Sequence, residues 1–481
     1  MISFGTDGWR AVIADTFTFA NLRLVAQAVA ESVNEQHTGN ASPEVVIGYD
    51  TRFLSDRFAM ETARVMAGNG IVAWLSRADA PTPAISYNVK EKNAAAGIVI
   101  TASHNPPRYN GFKLKAPYGG SATPEQSKLV ERQLRLMEEA GRGPNMIDYN
   151  RAIEMDLIRR FDPTWIYYQH LSELLDFDKI SDRELKIVAD AMFGSGRGSL
   201  GMVLARTRTR VTEIRGQMNP GFGGIHPEPI LKYLTELVAA VQREQSDVGL
   251  ATDGDADRIG AVDALGNFVD PHTIFALVLR HLVENKKMSG DVVKTISTTF
   301  MIDNMAKKYG LKLHETPVGF NHIADLMMTN DVLIGGEESG GISVKGHIPE
   351  GDGILMGLLL LEVMAYYDAP LHEIIADLQR EFGPTCYARD DVRLSKQLAK
   401  KEVVRKLEEN APSQLNGESV IRINTMDGIK FYLADDSWLL IRPSGTEPVL
   451  RIYAEARSEA EVQTLLTEGA ELAQQQIDAL A

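Results

Sequence analysis

Short apolar runs rich in valine and isoleucine alternate with helical stretches along most of this chain. EVVIGYD (44–50), GIVIT (97–101), KIVAD (186–190), VGLAT (248–252) and VLIGG (332–336) read as buried strands bounded by turn residues. Strands interleaved with helices predict an α/β chain with largely parallel sheets. Helix starts are marked as well. Thr123-Pro124 with Gln126 reads as N-cap, N1 proline and capping box for a helix reaching about Ala140, and Ser458 with Glu461 opens a C-terminal helix. ILMGLLLL (354–361) ends at Glu362, far short of the ~20 residues of a membrane span, and predicts a buried helix.

A chain of 481 residues has room for about three or four domains. Gly141-Arg-Gly-Pro144 and Gly383-Pro384 mark plausible divisions, with a smaller α+β unit after the second. The apolar and charged fractions, 44% and 24%, are those of an ordinary globular protein. A single cysteine, Cys386, excludes an intrachain disulfide framework and a cysteine-built zinc site, and fits a reducing cytoplasm. MISFGTDGWR has no basic segment leading into an apolar core, so it does not read as a signal peptide. The net charge of −15 argues against a nucleic-acid partner. An anionic ligand would need cations gathered in one cleft against that field.

Four apolar strands run directly into unusual polar loops: GIVIT-ASHNP, VGLAT-DGDADR, VLIGG-EESGG and WLLI-RPSGTEP. Ligands of open α/β sheets bind beyond the carboxyl ends of strands, so four such loops suit one cleft. In the first, Ser103 and His104 suggest a hydrolase. Neighbours on an extended segment point apart, however, and Thr101 and Asn105 replace the glycines of a nucleophile elbow. In the second, Asp253, Asp255 and Asp257 at i, i+2, i+4 would share one side of an extended backbone as an oxygen site for Mg²⁺, the alternative being a solvated acidic turn. A calcium EF-hand fails, because Arg258 and Ala264 occupy its glycine and final glutamate positions. Arg258 would be a further cation for a phosphate.

In the third loop Glu337 and Ser339 would lie side by side if extended, suiting sugar hydroxyls, or form a solvated turn. In the fourth, Arg442, Ser444, Gly445 and Thr446 would make a phosphate cradle, with Arg451 a second cation, the alternative for the motif taken alone being an ordinary turn. Lys113 follows Ser103 by ten residues, and Arg10 sits in a Gly-rich N-terminal loop able to reach the same cleft. GSGRG (194–198) puts Ser199 where a dinucleotide fingerprint needs glycine, and reads as a tight βα turn. A hydroxyl nucleophile, a magnesium site, a phosphate cradle and a hydroxyl reader together imply phosphoryl transfer on a phosphorylated polyol.

In this order and at these intervals, TASHNP, DGDADR, GEESGG and RPSGTEP resemble the α-D-phosphohexomutase family over essentially the whole chain, closest to the phosphoglucomutases. The resemblance implies three α/β domains and a smaller α+β C-terminal domain around a central cleft. These would be 1–145 with the phosphoserine loop, 146–262 ending in the metal loop, 263–382 with the sugar loop, and 383–481 with the phosphate loop. It implies a phosphoserine at Ser103 and reversible exchange of glucose 1-phosphate and glucose 6-phosphate through glucose 1,6-bisphosphate, which is both intermediate and activator. Mg²⁺ would be held by Ser103, Asp253, Asp255 and Asp257. Arg258 and Arg10 would contact the transferring group, and Lys113 and His104 match positions tied to proton transfer at the sugar hydroxyl. Glu337, Ser339 and Gly319 would meet the sugar; Arg442, Ser444, Gly445, Thr446 and Arg451 would hold the other phosphate. The partners implied are sugar phosphates, with no nucleic acid and no membrane, and the setting is cytoplasmic. GEESGG favours glucose phosphates; a mannose-specific, dual-specificity or glucosamine-phosphate enzyme is the alternative. In TPVGFNH, Asn321 stands where the resemblance implies a substrate-holding lysine, so either His322 or another cation compensates or phosphate affinity is reduced. A final domain that moves to release the phosphate is also expected. A silent binding protein and a phosphatase are the rival readings.

Overall fold

The computed structural model describes all residues except 1, 3, 6, 7, 40, 394–398, 444–448 and 479–481. Four sheets follow one another along the chain. The first has the order Trp9–Val12, Tyr109–Lys115, Ala96–Ile100, Glu44–Tyr49, Val72–Ser76, Ile158–Phe161. The second runs Phe268–Val269, Ile259–Asp263, Val248–Thr252, Lys186–Asp190, Arg210–Ile214. The third runs Leu313–Thr316, Asp291–Thr295, Val332–Gly336, Ile342–Val344. The fourth is antiparallel: Cys386–Arg393, Val449–Ala456, Trp438–Pro443, Ile429–Leu433, Glu418–Asn424, Gln414–Leu415.

The first three sheets are mixed, not largely parallel. Their inner strands pair in parallel, but the strand after each polar loop returns antiparallel beside the one that entered it. A loop of a few residues can close only an antiparallel pair; a parallel neighbour needs a crossover of about a dozen residues or more. Trp438–Pro443 and Val449–Ala456 repeat the arrangement in the fourth sheet. The polar loops of the first three sheets are therefore hairpin connections.

Two expected divisions also shift. Ile158–Phe161 pairs with Val72–Ser76, and Phe268–Val269 with Ile259–Asp263, so the first and second sheets run past 145 and 262. Met146, Ile147, Tyr149 and Leu157 pack on the first unit's core, which gives that segment an apolar surface to cover. Thr123 and Gln126 form the capping box of the helix Pro124–Glu139.

The helix Gly353–Tyr367 has almost no polar face because it is packed all round. Its side chains share one core with Leu250 and Ile259 of the second sheet and Phe275 and Leu333 of the third unit. Among the described residues no single helix is long and apolar enough to cross a membrane. The fourth unit has its own core. It meets the third through Trp438, Leu440 and Tyr453 against Ile296 and Phe300. Lys430 Nζ donates to Ile296 O (2.6 Å), and Phe300 N donates to Glu455 Oε2 (2.8 Å).

Candidate active site

Ser103 stands where the strand Ala96–Ile100 gives way to its hairpin loop, almost wholly buried, at φ +50°. Its Oγ donates to Asp253 Oδ2 (2.7 Å) and lies 3.4 Å from His104 Nδ1. The expectation that the two side chains point apart therefore fails, because the backbone is left-handed at Ser103, not extended. Asp253 is 150 residues downstream. The approach is close: a Cβ on Gly254 would stand 2.4 Å from Ser103 O. The GSGRG turn supports the same loop from behind, with Ser195 N donating to Gly254 O (3.0 Å).

The carboxylates of Asp253, Asp255 and Asp257 converge, one oxygen of each lying within 4.8 Å of the others. They do so around a turn with Ala256 at φ +60°, not along an extended backbone. Lys113 Nζ bridges Asp255 (2.9 Å) and Asp257 (2.7 Å), and Thr82 Oγ1 donates to Asp255 Oδ2 (2.7 Å). Burial, then the charges of Asp257 and Asp255, hold Asp253 well above the usual carboxylate range. Burial pushes Asp255 up too, but the Lys113 ammonium and the Thr82 hydroxyl outweigh it and hold the group below that range. Asp255 Oδ1 and Asp257 Oδ1 are buried without a hydrogen-bond donor. Hard oxygens this close, two of them lacking donors, fit a divalent cation such as Mg²⁺.

Cations ring the cluster. Arg258 donates its backbone N–H to Asp253 Oδ1 (3.2 Å). Burial presses its guanidinium down, yet Asp257, Asp253, Glu228 and Glu337 together hold it above its ordinary value. Arg10 Nη1 reaches Asn105 Oδ1 (2.8 Å) in the serine loop. Burial, reinforced by Arg258, Arg10, Arg52 and Lys113, drives His104 well below the ordinary imidazole value, so the ring is neutral at pH 7.

The third loop abuts the second: a Cβ on Gly351 would stand 2.8 Å from Asp257 O and 2.9 Å from Gly341 Cα. Glu337 Oε1 accepts Gly319 N–H (2.8 Å), and Ser339 Oγ lies 3.5 Å from Glu337 Oε2, in a turn and not a strand. Burial, then the Glu338 charge, raises Glu337 to about 7. Asn321 is buried just inside the helix Phe320–Thr329, and its Oδ1 has no donor.

In the fourth unit Arg442 and Arg451 face each other across paired strands, on one side of the sheet. Arg442 Nε donates to Asp427 Oδ2 (2.7 Å), which also takes the Val318 N–H (3.1 Å) beside Gly319. Ser444, Gly445 and Thr446 lie outside the described residues.

Sequence reasoning missed Asp50, Arg52, Thr82 and Asp427. The first two had a signal. VVIGYDTRF is a fifth strand running into a polar loop, of the same form as the four singled out.

Comparison with known proteins covers the same ground. Profiles of phosphoglucomutase/phosphomannomutase match in order: alpha/beta/alpha domain I over 1–140, domain II over 166–266, domain III over 270–382, and the C-terminal domain over 392–472. A phosphoglucomutase/phosphomannomutase of Thermococcus kodakarensis is 31% identical over 475 residues, 98% of each chain. A Methanosphaera stadtmanae protein assigned as a phosphoglucosamine mutase is 31% identical over 463 residues, 96% of each. The crystal structure of a Thermus thermophilus protein assigned as a phosphomannomutase superposes with a TM-score of 0.84 at 33% identity, covering 98% of this chain and 99% of the other. Matched from its first domain to its last, the chain belongs to the phosphoglucomutase/phosphomannomutase family, the phosphohexomutases, whose members are phosphotransferase isomerases.

Proposed function

We propose that this enzyme interconverts glucose 1-phosphate and glucose 6-phosphate, with Ser103 as the phosphoryl carrier. The observation that carries the reading is the Ser103 hydroxyl, 2.7 Å from one carboxylate of a three-aspartate cluster with donorless oxygens. Mg²⁺ held by Asp253, Asp255, Asp257 and the Ser103 phosphate would neutralise charge on the transferring group. The chain's own residues do the rest. Arg258 and Arg10 steady the phosphoryl oxygens. As the bond from phosphorus to Ser103 Oγ breaks, a bond to a sugar oxygen forms, and the sugar hydroxyl gives its proton to a nearby base. His104, neutral and 3.4 Å from Oγ, is the base in reach, and the Lys113 ammonium, held by Asp255 and Asp257, supplies positive charge and a proton donor beside it. Transfer of the other phosphoryl group from glucose 1,6-bisphosphate then restores the phosphoserine.

Glu337 and Ser339 read sugar hydroxyls, Gly319 lies against them, and Arg442 and Arg451 take the distal phosphate together with Ser444, Gly445 and Thr446. Binding remote from the reacting atom supports the chemical step, and turning the intermediate round needs the fourth unit to let go. The test is a coupled assay with Mg²⁺ and a trace of glucose 1,6-bisphosphate, comparing glucose, mannose and glucosamine 1-phosphates by kcat/KM. A clear glucose preference is expected. A preference for mannose or glucosamine phosphate would overturn the substrate assignment and leave the phosphoserine route standing.

A further inference from the structure

The Ser103 loop is built around one buried side chain that is not among the groups around the reacting atoms. Arg52 has a side chain with no solvent exposure. Its Nη2 donates to Ser103 O (2.6 Å) and Asn105 O (2.7 Å), and its Nη1 donates to Pro106 O (2.9 Å) and Tyr109 O (3.0 Å). Nε faces Asp50 Oδ2 at 3.1 Å. Asp50 in turn accepts the Thr101 hydroxyl (2.7 Å), the Ser55 hydroxyl (2.8 Å) and the Arg52 N–H (2.9 Å). The guanidinium also lies 4.9 Å from the ring centroid of Phe222, a second-unit residue. Four loop carbonyls thus converge on one planar fork, which is wedged against the unit that carries the metal loop.

We propose that Arg52 is the positioning residue of the Ser103 loop, setting the plane of the peptide that follows Ser103 and so aiming Oγ at Asp253. The proposal rests on the reading of Ser103 as phosphoryl carrier. An L-residue in the left-handed region relaxes to negative φ unless its surroundings hold it. Relaxation here would turn Ser103 O away from Arg52 and swing Oγ off Asp253. Only arginine can do the holding. Its five donors lie in a rigid plane, whereas a lysine presents three donors from a single atom and cannot span carbonyls from Ser103 to Tyr109. Asp50 balances the charge, so the contribution is geometric.

The experiment uses the full chain with Arg52→Lys and Arg52→Ala, and Ser103→Ala alongside. It measures kcat, KM, the rate at which glucose 1,6-bisphosphate phosphorylates Ser103 (by intact mass) and the thermal midpoint. For Arg52→Lys we expect kcat and the phosphorylation rate to fall together by about 10²-fold, the scale of a misplaced reacting atom. KM should stay within about twofold, because the sugar and distal-phosphate groups lie on other units. Added ethylguanidinium should restore part of the kcat of Arg52→Ala. Wild-type kcat in Arg52→Lys would overturn the proposal, as would a loss of activity that only tracks the unfolded fraction. Activity retained by Ser103→Ala would instead overturn the phosphoserine reading beneath it.

Discussion

Gly254→Ala tests the close approach of the metal loop to the serine loop. The new Cβ would stand 2.4 Å from Ser103 O and 3.1 Å from Pro227 Cγ, where ordinary contact begins at 3.4 Å. The shortfall against Ser103 is 3.4 − 2.4 = 1.0 Å. Gly254 N also donates to Pro227 O (3.1 Å), so the metal loop has little room to retreat on that side. The displacement must therefore open the gap between the serine loop and Asp253, which now meet at 2.7 Å. A misplacement of about 1 Å costs about 10²-fold in rate, or about 2.7 kcal/mol of barrier. Overpacking of this kind costs about 1–3 kcal/mol of stability, so the variant should fold. The coupled mutase assay, with a Mg²⁺ titration to detect weakened metal binding, measures the loss. A Gly254→Ala enzyme with wild-type kcat and Mg²⁺ dependence would refute the claim that Ser103 acts from this contact.

Ser103→Ala should abolish turnover and phosphate incorporation while changing stability by less than about 2 kcal/mol, since it removes one hydrogen bond; mass spectrometry and a thermal melt check both. Arg442→Lys should lower kcat/KM about tenfold through substrate affinity, because a lysine cannot reproduce the fork toward a phosphate; steady-state kinetics read it. His170 is stacked on Tyr87 at 4.3 Å with Nε2 2.9 Å from His347 Nδ1, and burial, aided by His347, lowers it from 6.5 to about 4. The unfolded chain then binds the proton first. The stabilisation is complete above about pH 6.5 and is lost as pH falls from there toward 4, by about 2 kcal/mol at pH 5. Denaturant unfolding of wild type and His170→Phe at pH 7 and pH 5 should show a pH-dependent change that differs between the two by about this amount, the contributions of groups such as Glu337 cancelling in the comparison.

What the sequence by itself determined is local or compositional. The Thr123–Gln126 box reads directly because its bonds span three residues. The apolar run at 354–361 announces a helix with no polar face, and three aspartates at alternate positions name the carboxylates of the cluster, although a turn and not the expected extended backbone gathers them. The tertiary structure decided the rest. Antiparallel returns made the sheets mixed, and the first sheet claimed Ile158–Phe161, because strand pairing is set by which edge is free and not by the strand's own residues. The left-handed turn at Ser103, which brings its Oγ to His104 and Asp253, meets Arg52, 51 residues upstream, and a carboxylate 150 residues downstream. Side-chain types show in the sequence one position at a time. Their aim is a property of contacts between segments that only the folded chain brings together.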